Sequence, residues 1–251
     1  MFPFDAPVAT LAGIAIVATG YTLFGVTGFG ASLITIPVLS HFYPLPFVLV
    51  VAGLLDLGSG LVLGVRHRRD AAIGEIRWLI PFAIVGAALG VTLLVNLPRQ
   101  VSLLALGIFI GGHAIHGLIA RAPKPGIAQG WAPLAGTLGG ISGTLFGIGG
   151  PPYLLYLTRR ICDKNALRAT MSVMVIFSLG IRLGAFAIVG LLLQPHLLVA
   201  LIWFVPAAAA GLWMGNRLHL RMSNATLLRI LYLVLLACGL SLVVRALLAD
   251  G

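Results

Sequence analysis

Two glycine-rich clusters are the residues of this chain whose type and spacing could bind a ligand. The glycines of one cluster repeat in the other at an offset of 119 residues: Gly20, Gly28 and Gly30 in GYTLFGVTGFGASLITIP, then Gly139, Gly147 and Gly149 in GISGTLFGIGGPPYLLYL. Both clusters lie in apolar sequence, where backbone can leave a helix only if it is buried in protein or lines a polar cavity. Duplicated halves with broken segments in matching places are typical of a transporter's binding site.

The glycine breaks predict an anion site made of main-chain groups. A helix that begins at such a break presents free N–H groups and the positive end of its dipole, and two such ends facing one cavity would bind a negative solute. Ser142 and Thr144 could add hydroxyl donors. The alternative is that the glycines only permit close helix packing. The predicted substrate-binding residues are Thr27, Gly28, Phe29, Gly30, Ser32, Gly147, Gly149, Gly150, Pro151 and Arg182.

Arg182 and Asp56 are two ionisable residues that fall deep within predicted spans. Counting at 1.5 Å per residue places Arg182 roughly 13 Å from the nearer end of its span and Asp56 roughly 15 Å from Pro46. Charges at such depth usually face a cavity or a partner. Arg182 is therefore a candidate counter-charge for an anion, and Asp56 is a candidate proton carrier. The alternative is that the two form a structural ion pair.

The composition predicts a membrane protein. Mean hydropathy is +1.10, 60% of residues are hydrophobic and 9% are charged, whereas soluble proteins carry roughly 25% charged residues. The first residues lack the basic leader of a cleavable signal peptide, and the two cysteines predict neither a disulfide framework nor a metal site. We expect no cofactor, no metal and no nucleic-acid partner, because the arginines behind the net charge of +10 set membrane topology.

Apolar runs predict two broken helical pairs, each followed by three full spans. The predicted segments are 8–25 with 28–41, then 46–65, 76–95 and 100–119, and in the second half 131–146 with 149–160, then 165–191, 196–216 and 224–246.

Basic residues predict how these segments are oriented. Thirteen of the sixteen fall in four regions, which the positive-inside rule places in the cytoplasm: Arg66 to Arg77, Arg121 with Lys124, Arg159 to Arg168, and Arg217 to Arg229. Basic residues thus both precede and follow the second broken pair, so that pair must enter and return as a hairpin. The same reasoning places both ends of the first hairpin outside.

A hairpin plus three crossings is an odd number of passes, so the second half must be inverted relative to the first. The predicted fold is an all-α polytopic membrane protein of two inverted half-repeats, each a broken helical hairpin plus three transmembrane helices. Residues 1–251 would form a single membrane domain, with 1–120 and 131–251 as half-repeats and 121–130 as a cytoplasmic linker. The N-terminus and the C-terminus would both lie outside.

The sequence resembles the TauE/SafE family of sulfite exporters and anion permeases. The resemblance rests on GVTGFGASLITIPVL, on GTLFGIGGPPYLLYL and on NALRATMSVMVIFS after the second hairpin. It implies transport of small sulfur-containing or carboxylated anions across a bacterial inner membrane. In the first motif Ala31 stands where the second has Gly150, and no proline follows the tip.

We therefore expect a multi-pass inner-membrane transporter, and more specifically an exporter of small organic or sulfur-containing anions such as sulfite or sulfonates. It would work by alternating access around the two opposed tips. The alternatives are an anion channel or an importer of a sulfur-containing anion. An enzyme is not expected, because the deep ionisable residues offer neither a nucleophile–base pair nor a metal set. The expected partners are the small anion and the lipid bilayer, with a homodimer as an open alternative.

Overall fold

The chain folds into apolar α-helices. The computed structural model describes residues 7–27, 31–64, 71–119, 126–194, 196–218 and 224–248, and these contain no β-strand. The α-helices are α1 (Pro7–Thr27), α2 (Ala31–Leu39), α3 (Leu45–Gly64), α4 (Ile73–Asn96), α5 (Arg99–Ile119), α6 (Ala132–Phe146), α7 (Gly150–Arg160), α8 (Lys164–Ile188), α9 (Leu197–Leu218) and α10 (Asn224–Leu248).

Several of these helices are long and apolar enough to cross a bilayer. Within the described ranges, four stretches of 19 to 24 residues meet that criterion: Ile73–Asn96, Arg99–Ile119, Ala169–Ile188 and Leu197–Gly215. Shorter apolar stretches lie in α1, α3 and α10. The predicted all-α polytopic membrane protein is confirmed.

The predicted helix boundaries hold to within three residues. The largest difference that affects the site is at α8, which ends at Ile188 rather than at 191. Arg182 is therefore six residues from that end, or about 9 Å rather than 13 Å along the helix. The chain leaves the helix there because Gly190 takes a left-handed φ of 76°.

The chain forms two compact units. The first comprises Met1–Leu55, Leu97–Ile119 and Leu193–Gly251, and the second comprises Asp56–Asn96 and Ala120–Leu192. Each unit therefore takes helices from both halves of the sequence.

In the first unit α1 packs along α9, and α10 packs along α5. Both interfaces depend on glycine. The backbone of α1 at Ala18 and Thr22 lies directly against Gly211 and Gly215 of α9. A side chain at either glycine would separate the helices, as is usual for small residues at membrane helix contacts.

The first helical pair is a hairpin whose two ends lie together. α1 packs against α2, and the hydroxyl of Tyr43, just after α2, lies beside Gly13 near the start of α1. Tyr43 also meets Phe204 of α9 edge-on, with ring centroids 6.3 Å apart. Burial raises the pKa of the Tyr43 phenol, so this anchor stays neutral at physiological pH.

In the second unit α4 packs along α6, and α8 contacts α4, α6 and α7. Gly140 of α6 lies against the backbone of α4 at Ala83 and Ala87. The core of the unit is fully buried and combines Leu79 of α4, Tyr153 of α7 and Met174 of α8. The hairpin of the second half is thus built onto a helix of the first half.

The second helical pair is also a hairpin, and a polar cluster joins its ends. The N–H of Gly126, before α6, donates to the carbonyl of Arg159 at the end of α7 (3.0 Å). Arg160 donates to the carbonyl of Ile127 (3.1 Å) and through Nε and Nη2 to Glu75 of α4 (2.9 and 2.7 Å). The hydrogen bond to Glu75 raises the pKa of the Arg160 guanidinium above its ordinary value. We call Glu75, Tyr156 and Arg160 the hairpin clasp, because Tyr156 also donates to Glu75 (2.6 Å).

Candidate functional site

The second hairpin turns at Gly147, which closes α6 in a left-handed conformation with φ of 73°. The N–H groups of Gly147 and Ile148 both turn back to the carbonyl of Ser142. These bonds reach back five and six residues, further than the four of a regular α-helix, and the left-handed turn suits glycine because it has no Cβ. Since the Gly147 N–H bonds to Ser142, it does not take up the carbonyl of Gly143, four residues earlier.

Close backbone approach holds the two arms of this hairpin together. A methyl group added at Gly149 would lie 2.9 Å from the carbonyl oxygen of Gly139 and 3.2 Å from the Cα of Gly143. Gly139 in turn lies against the buried ring of Tyr153. The glycines therefore permit close packing, which is the alternative role that the sequence left open. They also leave main-chain groups accessible at the break.

The start of α7 offers fewer N–H donors than a typical helix start. Gly149 is the N-cap residue, and Gly150, Pro151 and Pro152 follow it. A helix start leaves about four N–H groups without intrahelical partners, and proline has none. The donors at this start are therefore the N–H groups of Gly149 and Gly150.

Arg182 of α8 also contacts the break. Its side chain is 4% exposed, and its Nη1 donates to the carbonyl of Gly143 at 3.3 Å. That carbonyl is the one that does not receive its usual helical bond from the N–H of Gly147. The guanidinium thus lies at the negative end of the α6 dipole, which favours a cation.

Ser178 lies one helical turn before Arg182 on the same face of α8. Its hydroxyl oxygen would be 3.3 Å from a methyl group at Gly149 and 3.4 Å from one at Gly143. Ser178 therefore lies over the hairpin break. Ser178 was not among the residues predicted from the sequence: its spacing of four residues from Arg182 places it on the Arg182 face of α8 but does not place that face over the break.

Asp56 and Arg182 face each other within the second unit. Arg182 Nη2 lies 3.9 Å from Asp56 Oδ2, and the Asp56 side chain is 14% exposed. This distance is at the outer limit for an ion pair and longer than the 2.7–2.9 Å of a charge-assisted hydrogen bond. Arg182 and Asp56 therefore form a loose ion pair, as the alternative from the sequence proposed. Arg182 contacts the hairpin break at the same time.

The structure gathers part of the predicted site. Gly147, Gly149, Gly150, Pro151 and Arg182 lie around one break, with Asp56 beside Arg182. Thr27 and Ser32 belong to the first unit, at the end of α1 and the start of α2. Gly28, Phe29 and Gly30 lie outside the described residues.

The hydroxyl residues Ser142 and Thr144, predicted near the second tip, contact α6 itself or the helix packed against it. Ser142 Oγ donates to the carbonyl of Gly139 at 3.4 Å. Thr144 is 1% exposed and lies against Gly90 of α4. Both residues support the position of α6 rather than point into the break.

Comparison with known proteins identifies a family of membrane transporters. The profile of the family described as "Sulfite exporter TauE/SafE" matches residues 12–242. The chain is also 28% identical over 194 residues to a protein of Comamonas testosteroni named "Probable inner membrane transporter protein TsaS", covering 75% of this chain and 80% of that protein. No solved structure matches the chain significantly. The match over nearly the whole length shows that this protein belongs to the TauE/SafE sulfite exporter family of membrane transporters.

Proposed function

We propose that the protein transports a small sulfur-containing or organic anion across the inner membrane, and that the break of the second hairpin is part of its binding site. The observation that carries this proposal is Arg182, a buried guanidinium held 3.3 Å from the carbonyl of Gly143 at the break. Ser178 and the N–H groups of Gly149 and Gly150 would add neutral donors. Guanidinium suits oxyanions because its planar donors match two oxygens at once.

The first hairpin would complete the site in an inverted arrangement. Two observations support the inversion of the halves. Each hairpin packs its longer arm on the second crossing helix of the other half, α1 on α9 and α6 on α4. Each hairpin also has its two ends together, as the charge pattern requires.

Export is the favoured direction, because an anion leaves a negative-inside cell along the electrical gradient. Asp56 would be the proton carrier if transport is coupled. Its carboxylate lies beside Arg182, so substrate binding at the guanidinium would change the charge that Asp56 faces. Alternating access predicts saturable transport, whereas a channel would not show counterflow.

Uptake into proteoliposomes tests the proposal. Sulfite, thiosulfate, a short sulfonate and a short carboxylate would be compared, with wild type beside Arg182→Gln, Arg182→Lys and Ser178→Ala. We expect Arg182→Gln to lose most transport, Arg182→Lys to retain part of it, and Ser178→Ala to raise the apparent KM several-fold. Arg217→Gln is the matched control, because Arg217 stacks on Trp213 in the other unit, 4.2 Å from the ring centroid.

Two results would contradict the proposal. Unchanged apparent affinity in Arg182→Gln would remove Arg182 from the site, and absence of counterflow with a saturating anion would favour a channel. Insensitivity to an imposed pH gradient would end the proton role of Asp56 and leave anion binding untouched.

A further inference from the structure

A basic cleft lies where the start of α5 meets the end of α10 in the first unit. The cleft has a volume of about 260 Å³ and is lined by Arg99, Gln100, Leu103, Arg245 and Ala246. This volume is below the range of roughly 300–1,000 Å³ typical of pockets for drug-sized ligands. It fits a small group rather than a whole cofactor.

Two arginines contribute their charge to this cleft. Arg245 is anchored by the bond from its Nη1 to the carbonyl of His41 (2.9 Å), which uses one of the five donors of a guanidinium. Neither Arg99 nor Arg245 is in an ion pair with any carboxylate of the described residues. Arg99 and Gln100 are also the first residues of α5, so the positive end of the helix adds to their charge. The cleft is therefore complementary to an anionic group.

An apolar groove continues from the same arginine along α10. The groove has a volume of about 700 Å³ and is lined by Ala237, Leu240, Ser241, Val244, Arg245 and Leu248. Leu240 and Leu248 are 65% and 74% exposed. From Arg245 back to Ala237 the groove runs about 12 Å along the helix at 1.5 Å per residue. That length covers most of one leaflet, which is about half of a hydrocarbon core of about 30 Å.

We infer that the cleft and the groove together bind one anionic phospholipid. The phosphate would lie between Arg99 and Arg245, and one acyl chain would follow α10 along Leu240 and Val244. Charge at one end and an apolar groove that covers most of one leaflet at the other match the two parts of a lipid. A free anion would use the cleft alone. The site is distinct from the hairpin break, which belongs to the other unit.

Lipid binding to the purified protein, measured by native mass spectrometry, tests the inference. Dioleoyl phosphatidylglycerol, dioleoyl phosphatidylcholine and glycerol phosphate would be titrated separately. We expect phosphatidylglycerol to bind about tenfold more tightly than phosphatidylcholine, and glycerol phosphate to bind little. Arg99→Gln should lower phosphatidylglycerol binding several-fold, whereas Arg217→Gln, on α9 away from the cleft, should leave it unchanged.

A second variant tests the groove without touching the charge. Val244→Trp should block the acyl chain and weaken phosphatidylglycerol binding while the protein keeps its thermal stability. Equal binding of both lipids would overturn the inference, as would glycerol phosphate binding that is as tight as the lipid and unaffected by Val244→Trp. Formation of a dimer that covers the groove and excludes added lipid would also overturn it. Transport assays with the Arg182 variants are independent of all these outcomes.

Discussion

A double-mutant cycle at Arg182 and Asp56 separates two roles that the structure combines. The variants are Arg182→Gln, Asp56→Asn and the double substitution. The two side chains are 4% and 14% exposed and 3.9 Å apart, so each single variant leaves a charge in a largely dry environment. The double variant leaves two neutral amides of nearly the same shape.

The expected magnitudes follow from the geometry. At 3.9 Å and an effective dielectric constant of about 20, the Coulomb attraction is about 4 kcal/mol. Desolvation of both ions offsets part of this attraction, so we expect a coupling of about 2 kcal/mol, within the usual range for residues in contact. Each single variant should therefore lose about 3 kcal/mol of stability or more, and the double variant should recover most of the loss.

Thermal unfolding in detergent would measure stability, and anion uptake into proteoliposomes would measure function on the same preparations. We expect the double variant to regain stability without regaining transport, because the substrate then lacks its guanidinium. If the double variant transports like wild type, Arg182 only neutralises Asp56 and the proposed anion contact is wrong. If the stability losses of the two single variants sum to that of the double variant, the loose ion pair contributes no energy to folding.

Three further predictions concern the scaffold of the site. Gly140→Ala places a methyl group against the backbone of α4 and should lower the free energy of unfolding by about 1–3 kcal/mol through overpacking. Thermal unfolding measures this loss, with Gly112→Ala as the control because nothing lies within 4 Å of a methyl group there. Equal melting temperatures of the two variants would contradict the prediction. Gly147→Val should destabilise by about 1–2 kcal/mol more than Gly147→Asn, because asparagine tolerates a left-handed φ; equal melting temperatures would argue against the left-handed turn. Glu75→Gln should weaken the hairpin clasp by about 1–2 kcal/mol. Amide hydrogen exchange at Gly126, whose N–H bonds to Arg159, should therefore increase. Unchanged exchange would show that Arg160 holds the linker without the carboxylate.

Hairpin boundaries were predictable because local chemistry determines them. Gly147 and Gly149 end one helix, and Pro151 begins the next, so the break could be placed to within a residue or two. Charge counting at Arg121 and Arg159 then predicted that the segment returns to its starting side. The hydrogen bond between Gly126 and Arg159 gives the same result.

Helix pairing was not predictable from the sequence. Glycines four residues apart, such as Gly136 with Gly140 and Gly86 with Gly90, mark surfaces suited to close packing. They do not state which surface meets which, because that choice depends on contacts between distant segments. The place of Ser178 over the break follows from this pairing, and this is why residue types alone did not reveal it.

The exchange of helices between the halves has a consequence during synthesis. α1 rests on α9, whose first residue, Leu197, is encoded about 170 residues after α1 ends at Thr27. At roughly 5–20 residues per second, the nascent N-terminal helix waits on the order of 10–30 s for its partner. During that interval the surface of α1 that later packs against Gly211 and Gly215 must be covered by lipid or by the insertion machinery. A truncated product that stops before α9 should therefore be recognised as an orphan and degraded.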